Sequence, residues 1–356
     1  MVGRYIDESI VLHPGDAPYP LDQWYVIAYS EEVTRAPLTR WAFDRPILLY
    51  RGEDGAPVAL FDRCPHRGYP LSEGQVIGNT IQCGYHGVRF APDGGCLRIP
   101  SGGSVAPGLR VASYPVVETW RWIWLWPGDP ARADPGLIPS HARFGLGVAG
   151  WHAESADLLE VAANYLLPFE NLLDASHITF LHEGQIDAGD VAGNAPQVED
   201  DGARVRVVRR IDHELQSPLT MKTFGFSGTH AHRTITAEAH VPNLCGIRID
   251  IEPVDGSAPP QTNQLAVGIT PRTRTSSYEF TAVAQTFPFV NPNWKADARA
   301  LLMEDVVAMG KIQALHERLA PEQRGEVGLA ADRGLFLARR KIARMLRNER
   351  ALAVAV

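Results

Sequence analysis

Two short segments, each with one cysteine and one histidine, constrain this sequence more than any other feature. Cys64 and His66 are spaced C-x-H, and Cys83 and His86 are spaced C-x2-H after sixteen intervening residues. A structural zinc site usually pairs C-x2-C with a second C-x2-C or with H-x3-5-H. The mixed spacing instead predicts two loops that bring four ligands to one metal centre.

Thiolates and imidazoles in equal number are the ligands of a Rieske [2Fe–2S] cluster, in which two cysteines hold one iron and two histidines hold the other. Imidazole ligands raise the reduction potential, so such a cluster accepts electrons from a ferredoxin-type donor. Gly68, Gly84 and Gly87 lie beside the ligands and let backbone N–H groups approach the cluster sulfurs. The alternatives are a zinc site or a chance spacing.

The composition excludes several classes of partner. Hydrophobic residues make up 45% of the 356-residue chain and charged residues 21%, and the net charge of −7 gives no reason to expect nucleic acid or an anionic membrane. The first residues show no signal-peptide pattern, and no apolar run is long enough for a transmembrane helix. Cys96 and Cys245 are expected to be isolated small hydrophobes, so we expect a reducing, cytoplasmic location.

The pattern of strands and helices predicts an α+β chain of two domains. Short strand patterns bounded by Gly, Pro or Asp predict an all-β domain over 1–130 that carries the cluster. A segment rich in Pro, Ala and Gly, 129–139, is the predicted linker. The second domain, 140–356, is predicted to combine an antiparallel sheet with carboxyl-terminal helices. Its predicted strands are 203–211, 231–252, 262–271 and 276–287, and its last helical region begins at Asn293.

A second group of polar residues follows in a segment with helical periodicity, 157–184, which Pro168 must kink or break. Asn171, Asp174 and His177 are spaced by three, so on a helix they form one polar stripe. His182 lies five residues beyond His177, about 140° around a straight α-helix. If both imidazoles bind one metal, the helix must end or become irregular between them.

Two imidazoles and one carboxylate form the facial triad of a non-haem iron oxygenase. The predicted carboxylate is Asp305, which lies in the middle of an otherwise almost wholly apolar helix face, whereas Glu304 points about 100° away. A carboxylate in that position is costly unless it is paired or binds a metal. The alternatives are ordinary polar residues with one core histidine, and an Asp paired with an arginine or a helix end.

These motifs together resemble those of the Rieske non-haem iron oxygenases. The resemblance extends over nearly the whole chain, through WYVIA, CPHRGYPLSEG, CGYHGVRF, SYPVVE, IWLWPGDP and NLLDASHITFLH. It is greatest for the short subgroup that includes vanillate and dicamba O-demethylases and phthalate dioxygenase. The family implies a Rieske domain followed by a helix-grip-like catalytic domain. It also implies two cofactors, a [2Fe–2S] cluster in the first domain and a mononuclear Fe(II) in the second.

The resemblance also implies an assembly and an electron path. In this family, head-to-tail homotrimers place the cluster of one subunit opposite the iron of the next. Asp174 matches the acidic residue that bridges a cluster histidine to an iron histidine, and Asn171 matches a polar position near the iron. The implied electron donor is a separate NAD(P)H-dependent reductase, acting directly or through a ferredoxin, and the implied iron ligands are His177, His182 and Asp305.

The implied function is that of a terminal oxygenase that uses O2 to demethylate a methoxylated aromatic compound. The alternative within the enzymes is hydroxylation of a ring or side chain. A Rieske electron carrier would need only about the first third of the chain, and a zinc-structured interaction module would be colourless. The predicted cavity walls are 224–250 and 264–271, where His230, His232 and His240 share one strand face and point to the cavity or to solvent. No residue is identified as the anchor of an aromatic carboxylate.

Overall fold

The structure, a computed structural model, describes residues 12–102, 104–106, 108–186, 191–225 and 228–354. These residues form two compact units. The small unit contains residues 21–138, and the large unit contains residues 12–20 together with 139–354. Within the described residues, none of the helices is long and apolar enough to cross a membrane.

The described residues of the small unit form eleven short strands in three antiparallel sheets, with the strand orders β1-β11-β10, β2-β3-β4-β9 and β5-β6-β7-β8. The strands are β1 Tyr25–Tyr29, β2 Leu38–Ala42, β3 Arg45–Arg51, β4 Pro57–Phe61, β5 Gln75–Ile77, β6 Thr80–Gln82, β7 Arg89–Phe90, β8 Cys96–Arg98, β9 Ser113–Tyr114, β10 Val116–Thr119 and β11 Trp122–Leu125. β1 and β11 are buried throughout, as their continuous apolar runs predict.

Among its described residues, the large unit is organised around one antiparallel sheet of eight strands. Its order is β12-β19-β18-β17-β16-β15-β14, and β13 also pairs with β19. The strands are β12 His152–Ser155, β13 Leu159–Val161, β14 Gln197–Asp200, β15 Arg204–Leu215, β16 His230–His240, β17 Leu244–Pro253, β18 Gln261–Thr273 and β19 Ser276–Gln285. The described helices are α1 Leu166–Leu173, α2 Ile178–Leu181, α3 Pro218–Phe224, α4 Trp294–Arg318 and α5 Arg333–Val354.

The core of the large unit lies between the sheet and the helices that cross it. Tyr165, Phe169 and Leu173 pack with apolar residues of β15 to β18 and with Ala338 and Ile342 of α5. A second cluster joins β13 to α4. Because α1 and α4 are both packed on buried apolar faces, the side chains that they carry at their polar edges are held in fixed positions.

The predicted helix over 157–184 is wrong in its first part. Residues 159–161 form strand β13 and pair with β19, and α1 begins only at Leu166. Pro168 therefore occupies the third position of the helix, where its missing N–H has no intrahelical partner to lose. The proline marks the start of the helix and does not kink it.

The two compact units differ from the predicted division at the amino end, where residues 12–20 pack on the large unit. Leu12 and Ala17 are buried in its core. The side chain of Asn164 donates to the carbonyl of Ala17 at 2.9 Å, and the hydroxyl of Tyr165 donates to the carbonyl of Pro18 at 3.0 Å. The boundaries 1–130 and 140–356 stay a prediction, although the described segment 12–20 belongs to the large unit.

An ion pair between the buried Glu170 and the partly buried Arg339 joins α1 to α5, and it allows a test of this packing. Arg339 donates two hydrogen bonds to the carboxylate of Glu170, one of them from Nη2 to Oε2 at 2.6 Å. We expect Arg339→Met to lower the free energy of unfolding by about 3 kcal/mol, because it leaves Glu170 buried without its counter-charge. Chemical denaturation followed by circular dichroism measures the loss.

The control for this prediction is Arg272→Met, which removes an exposed ion pair to Glu160 and should cost less than about 1 kcal/mol. Adding Glu170→Gln to the Arg339→Met variant should restore most of the lost stability. Equal costs for the two arginine substitutions would show that the buried pair does not hold α5 in place.

Candidate metal centres

The predicted cluster ligands of the small unit lie on two loops with the same backbone hydrogen bonds. Cys64 follows β4, and Cys83 follows β6. The N–H of Gly68 donates to the carbonyl of Cys64 at 2.8 Å, and the N–H of Gly87 donates to the carbonyl of Cys83 at 3.0 Å. Both glycines have positive φ, 75° and 68°, which turns each loop back on itself at little steric cost.

The two loops turn their sulfurs inward and their imidazoles outward. Cys64 and Cys83 are buried among apolar side chains, whereas His66 and His86 are exposed, with ring centroids 4.6 Å apart. Burial raises the pKa of the Cys64 thiol, and the backbone N–H groups of His66 and Arg67 oppose that rise by pointing at its sulfur. Two buried sulfurs and two exposed imidazoles fit a cluster in which a pair of thiolates holds one iron and a pair of imidazoles holds the other.

The second centre, in the large unit, brings together His177, His182 and Asp305. Their ligand atoms all lie within 4.8 Å of one another. Nε2 of His177 is 3.4 Å from Oδ1 of Asp305, and Nε2 of His182 is 3.2 Å from Oδ2. His182 and Asp305 are buried, and His177 is partly exposed. These three side chains are the predicted facial triad.

The chain between the two histidines is irregular, as their spacing requires. Residues 175–177 form one turn of 3₁₀-helix, and the single turn α2 follows, with His182 as the capping residue after its last position. This change of helical pitch brings the two rings to a centroid separation of 5.4 Å. Five residues of regular α-helix would have turned them about 140° apart.

In each histidine, the ring nitrogen that faces away from Asp305 is hydrogen-bonded to an oxygen, and this hydrogen bond fixes the tautomer. Nδ1 of His177 hydrogen-bonds to the backbone carbonyl of Asp174, and Nδ1 of His182 hydrogen-bonds to Oε2 of Glu304 at 2.8 Å. Nδ1 is thus the protonated nitrogen in each neutral ring, and Nε2 keeps a lone pair directed at Asp305. Metal-binding histidines show this arrangement, so the residues present fit a divalent metal with N and O ligands.

Glu304 is a site residue that the sequence analysis did not identify. It points away from the apolar face of α4 that carries Asp305, as predicted, but in doing so it reaches His182 from the side. Its other oxygen accepts a hydrogen bond from Gln185 at 2.6 Å. The hydrogen bonds from His182 and Gln185 lower the pKa of Glu304. Burial disfavours the charged form of His182, but the neighbouring carboxylates of Asp305 and Glu304 favour that form more strongly and raise the pKa of the imidazole.

Asn171 and Asp174 both lie beside this centre. Nδ2 of Asn171 donates to Oδ1 of Asp305 at 3.0 Å, so it holds the carboxylate between the two imidazoles. The carboxylate of Asp174 accepts hydrogen bonds from the N–H of Ser176 at 2.9 Å and from its hydroxyl. Nη2 of the buried Arg209 is 3.7 Å from the same carboxylate. The bridging role of Asp174 stays a prediction, and Arg209 was not anticipated.

The triad opens into a cavity of about 220 Å³ in the large unit. Its sheet wall includes residues of β16 and β17 and Leu265 of β18, which lie within the predicted segments. Asn263 of β18, the residues of β19 and those of the described helix α3 also line the cavity, and most of them lie outside the predicted segments. Alternate residues of β16 face the cavity, namely Arg233, Ile235 and Ala237. His230, His232 and His240 have the opposite parity and are absent from the described lining.

Two protein families match this chain. The vanillate O-demethylase oxygenase C-terminal domain matches residues 161–348, and the Rieske [2Fe-2S] domain matches residues 23–115. The first match covers all three residues of the triad, and the second covers all four predicted cluster ligands. The order of the two domains along the chain is the predicted order.

Individual relatives agree with these matches. The dicamba O-demethylase oxygenase component of Stenotrophomonas maltophilia is 44% identical over 170 residues, which is 47% of this chain and 49% of that protein. The toluene-4-sulfonate monooxygenase iron-sulfur subunit of Comamonas testosteroni is 30% identical over 92% of this chain and 96% of its own. The crystal structure of dicamba monooxygenase bound to 3,6-dichlorosalicylic acid superposes with a TM-score of 0.85 at 28% identity, over 93% and 98% of the two chains.

The chain therefore belongs to the Rieske non-haem iron oxygenases, as the oxygenase component of a Rieske system. The predicted α+β fold class is confirmed, with an all-β Rieske domain ahead of a catalytic domain of antiparallel sheet and helices. So are the two predicted cofactors, a [2Fe–2S] cluster and a mononuclear iron. The zinc interpretation of the first motif is wrong.

Asp305→Ala tests the assignment of the carboxylate ligand. The substitution should abolish binding of the mononuclear iron, because two imidazoles alone make too few bonds to retain it. The visible absorption of the [2Fe–2S] cluster should stay unchanged, since its predicted ligands lie in the other compact unit. Iron analysis by mass spectrometry, together with the absorption spectrum, gives both quantities.

Glu304→Gln is the matched variant on the neighbouring position. It retains a hydrogen-bond acceptor for His182 and should weaken iron binding by only about 10-fold. Full iron content in Asp305→Ala would show that another carboxylate completes the triad.

Proposed function

We propose that this chain removes the methyl group of a methoxylated aromatic compound by oxidation, with formaldehyde as the second product. The observation that carries the proposal is the triad of His177, His182 and Asp305 at the end of a largely apolar cavity. Its similarity to dicamba O-demethylase, which is 44% identical to part of this chain, supports the same reaction type.

The cavity suits one substituted aromatic ring. An apolar cavity of about 150 Å³ accepts benzene, so about 220 Å³ leaves room for ring substituents. Its apolar walls include Ile247, Ile249, Leu265 and Val283 from the sheet and Leu301 and Leu302 from α4. These side chains displace water from the ring and hold one edge of it toward the triad, so the protein's own contribution is positioning.

Fe(II) held by the triad supplies the activation of dioxygen for attack on a C–H bond. The overall reaction consumes one methoxyarene, one O2, one NAD(P)H and one proton, and it yields a phenol, formaldehyde, NAD(P)+ and water. Insertion of one oxygen atom into a methyl C–H bond gives a hemiacetal, which collapses to the phenol and formaldehyde. Asn171 holds the Asp305 carboxylate throughout, and Glu304 keeps the proton on Nδ1 of His182.

The electrons come, in this proposal, from a separate NAD(P)H-dependent reductase, directly or through a ferredoxin. From the cluster they would pass through the exposed imidazole of His66 or His86 to Asp174 and the iron. We further propose the homotrimer of the family, in which Asp174 links a cluster of one subunit to the iron of the next. The partly exposed carboxylate of Asp174, next to the carbonyl that binds His177, supports that role. The cytoplasmic location expected from the sequence stays a prediction.

Formaldehyde release tests the reaction type. The enzyme loaded with both cofactors, supplied with a surrogate reductase, NADH and O2, should release one formaldehyde per phenol from at least one member of a panel of methoxyarenes. The same panel without methoxy groups is the control and should release none. If the product is hydroxylated on the ring or a side chain and no formaldehyde is released, the activity is hydroxylation and the proposed demethylation is wrong.

Asp174→Asn tests the proposed electron path. Both metal centres should stay occupied, yet the chemically reduced cluster should reoxidise at least about 10-fold more slowly with substrate and O2 present, because the anionic link to the iron histidine is lost. Stopped-flow absorption of the cluster measures that rate. Asp212→Asn, a change at a highly exposed carboxylate, should leave the rate unaltered. A wild-type rate in Asp174→Asn would remove this residue from the path.

A further inference from the structure

Outside the triad, the charged side chains on the cavity wall are already paired within the protein. Among the described lining residues other than the two triad histidines, Arg233 is the single basic side chain. The acidic lining residues are Asp305, in the triad, and Asp297, whose carboxylate accepts a hydrogen bond from Lys222 at 2.6 Å. The state of Arg233 therefore decides whether the wall has a cation available for an anionic substrate.

Arg233 is held by a buried carboxylate from the adjacent strand. Its Nη2 donates to Oε1 of Glu214, and its Nη1 donates to the carbonyl of Ile186 at 2.8 Å. Both side chains of this ion pair are less than 5% exposed. The other carboxylate oxygen of Glu214 accepts a hydrogen bond from Gln216 at 3.2 Å. If Arg233 turned to a substrate carboxylate, Glu214 would stay buried without its counter-charge, which is strongly unfavourable.

The other buried polar groups of the sheet wall are neutral amides. Asn263 of β18 and Gln285 of β19 are register partners, and both line the cavity. Nδ2 of Asn263 donates to Oε1 of Gln285 at 3.1 Å. Each amide has two donor hydrogens and an acceptor oxygen, so beyond this bond the pair offers both donors and acceptors. Such a pair can hydrogen-bond to a ligand group that is itself both a hydrogen-bond donor and an acceptor.

We infer that this cavity takes an uncharged methoxyarene whose ring carries a hydroxyl or carboxamide group, and that it selects against aromatic carboxylates. The inference rests on the proposed function for the reaction and extends it to the class of substrate. Its physical basis is that a carboxylate entering this apolar cavity loses its hydration and meets an arginine already neutralised by Glu214. A neutral ring substituent loses less hydration and hydrogen-bonds to Asn263 and Gln285.

Binding of matched ligand pairs tests the inference independently of turnover. Isothermal titration calorimetry of the cofactor-loaded enzyme, without O2 at pH 7.5, compares the 2-, 3- and 4-methoxybenzamides with the corresponding methoxybenzoates. The members of a pair differ only in a carboxamide against a carboxylate. The tightest benzamide should bind at least about 10-fold more strongly than the tightest benzoate. A benzoate that binds as tightly as the best benzamide overturns the inference, and so does the failure of all three benzamides to bind.

Two variants separate the ion pair from the amides. Glu214→Gln releases the charge of Arg233 and should strengthen benzoate binding by about 10-fold. Glu160→Gln, which removes the exposed partner of Arg272, is the matched control and should leave the benzamide-to-benzoate ratio unchanged. Gln285→Leu, which needs no change at the buried ion pair, should weaken benzamide binding by about 10-fold and spare the benzoates. Unaltered benzamide binding in Gln285→Leu counts against the inference.

Turnover of the bound ligand distinguishes this inference from the proposed function. If a methoxybenzamide binds and releases formaldehyde, both stand. If it binds selectively and is hydroxylated without formaldehyde, demethylation fails while the preference for an uncharged ring stands. If formaldehyde comes from a methoxybenzoate that binds as tightly as the best benzamide, demethylation stands and the selectivity fails.

Discussion

The carboxylate of Asp305 is the constraint on which the catalytic unit depends. A buried carboxylate is tolerated only where other groups compensate its charge. Here Asn171 of α1 donates a hydrogen bond to it, and the Nε2 lone pairs of His177 and His182 face its two oxygens, so a bound metal cation would supply the remaining compensation. These contacts join α1, the segment through α2, and α4. The sheet and the core residues of α1 hold that junction in place. The geometry of the triad therefore depends on the packing of the large unit.

In both centres, groups of the protein that are not themselves predicted ligands act on the predicted ligand residues. In the cluster loops, positive-φ glycines and main-chain N–H groups prepare the environment of the sulfurs. In the triad, oxygens on the far side of each imidazole fix which nitrogen carries the proton. Hydrogen bonds within the chain thus hold the two imidazoles in the tautomer that binds a metal, and main-chain N–H groups favour the thiolate of Cys64 against the effect of its burial. The metal-binding atoms need little rearrangement when the cofactor enters.

The sequence was informative wherever function depends on residues close together in the chain. The spacing of Cys64 to His86 predicted two loops, and the apolar stripe around Asp305 predicted which carboxylate of α4 faces the Nε2 atoms of both histidines. Glu304 and Arg209 were missed, because their partners lie more than thirty residues away and no local pattern marks them. The start of α1 was misplaced for the same reason: pairing of residues 159–161 with β19 outweighs their helical periodicity.

The two histidines of the triad differ in how freely mutation can adjust them. The oxygen behind His177 belongs to the main chain of Asp174, and a main-chain carbonyl survives any side-chain replacement at that position. The oxygen behind His182 belongs to the side chain of Glu304, where a single codon change alters its charge or removes it. Substitution at position 174 therefore leaves the acceptor of His177 in place, whereas substitution at position 304 changes or removes the acceptor of His182. In descendants of this chain, substitutions of Glu304 in α4 would change how strongly the imidazole of His182 donates electrons to a bound metal.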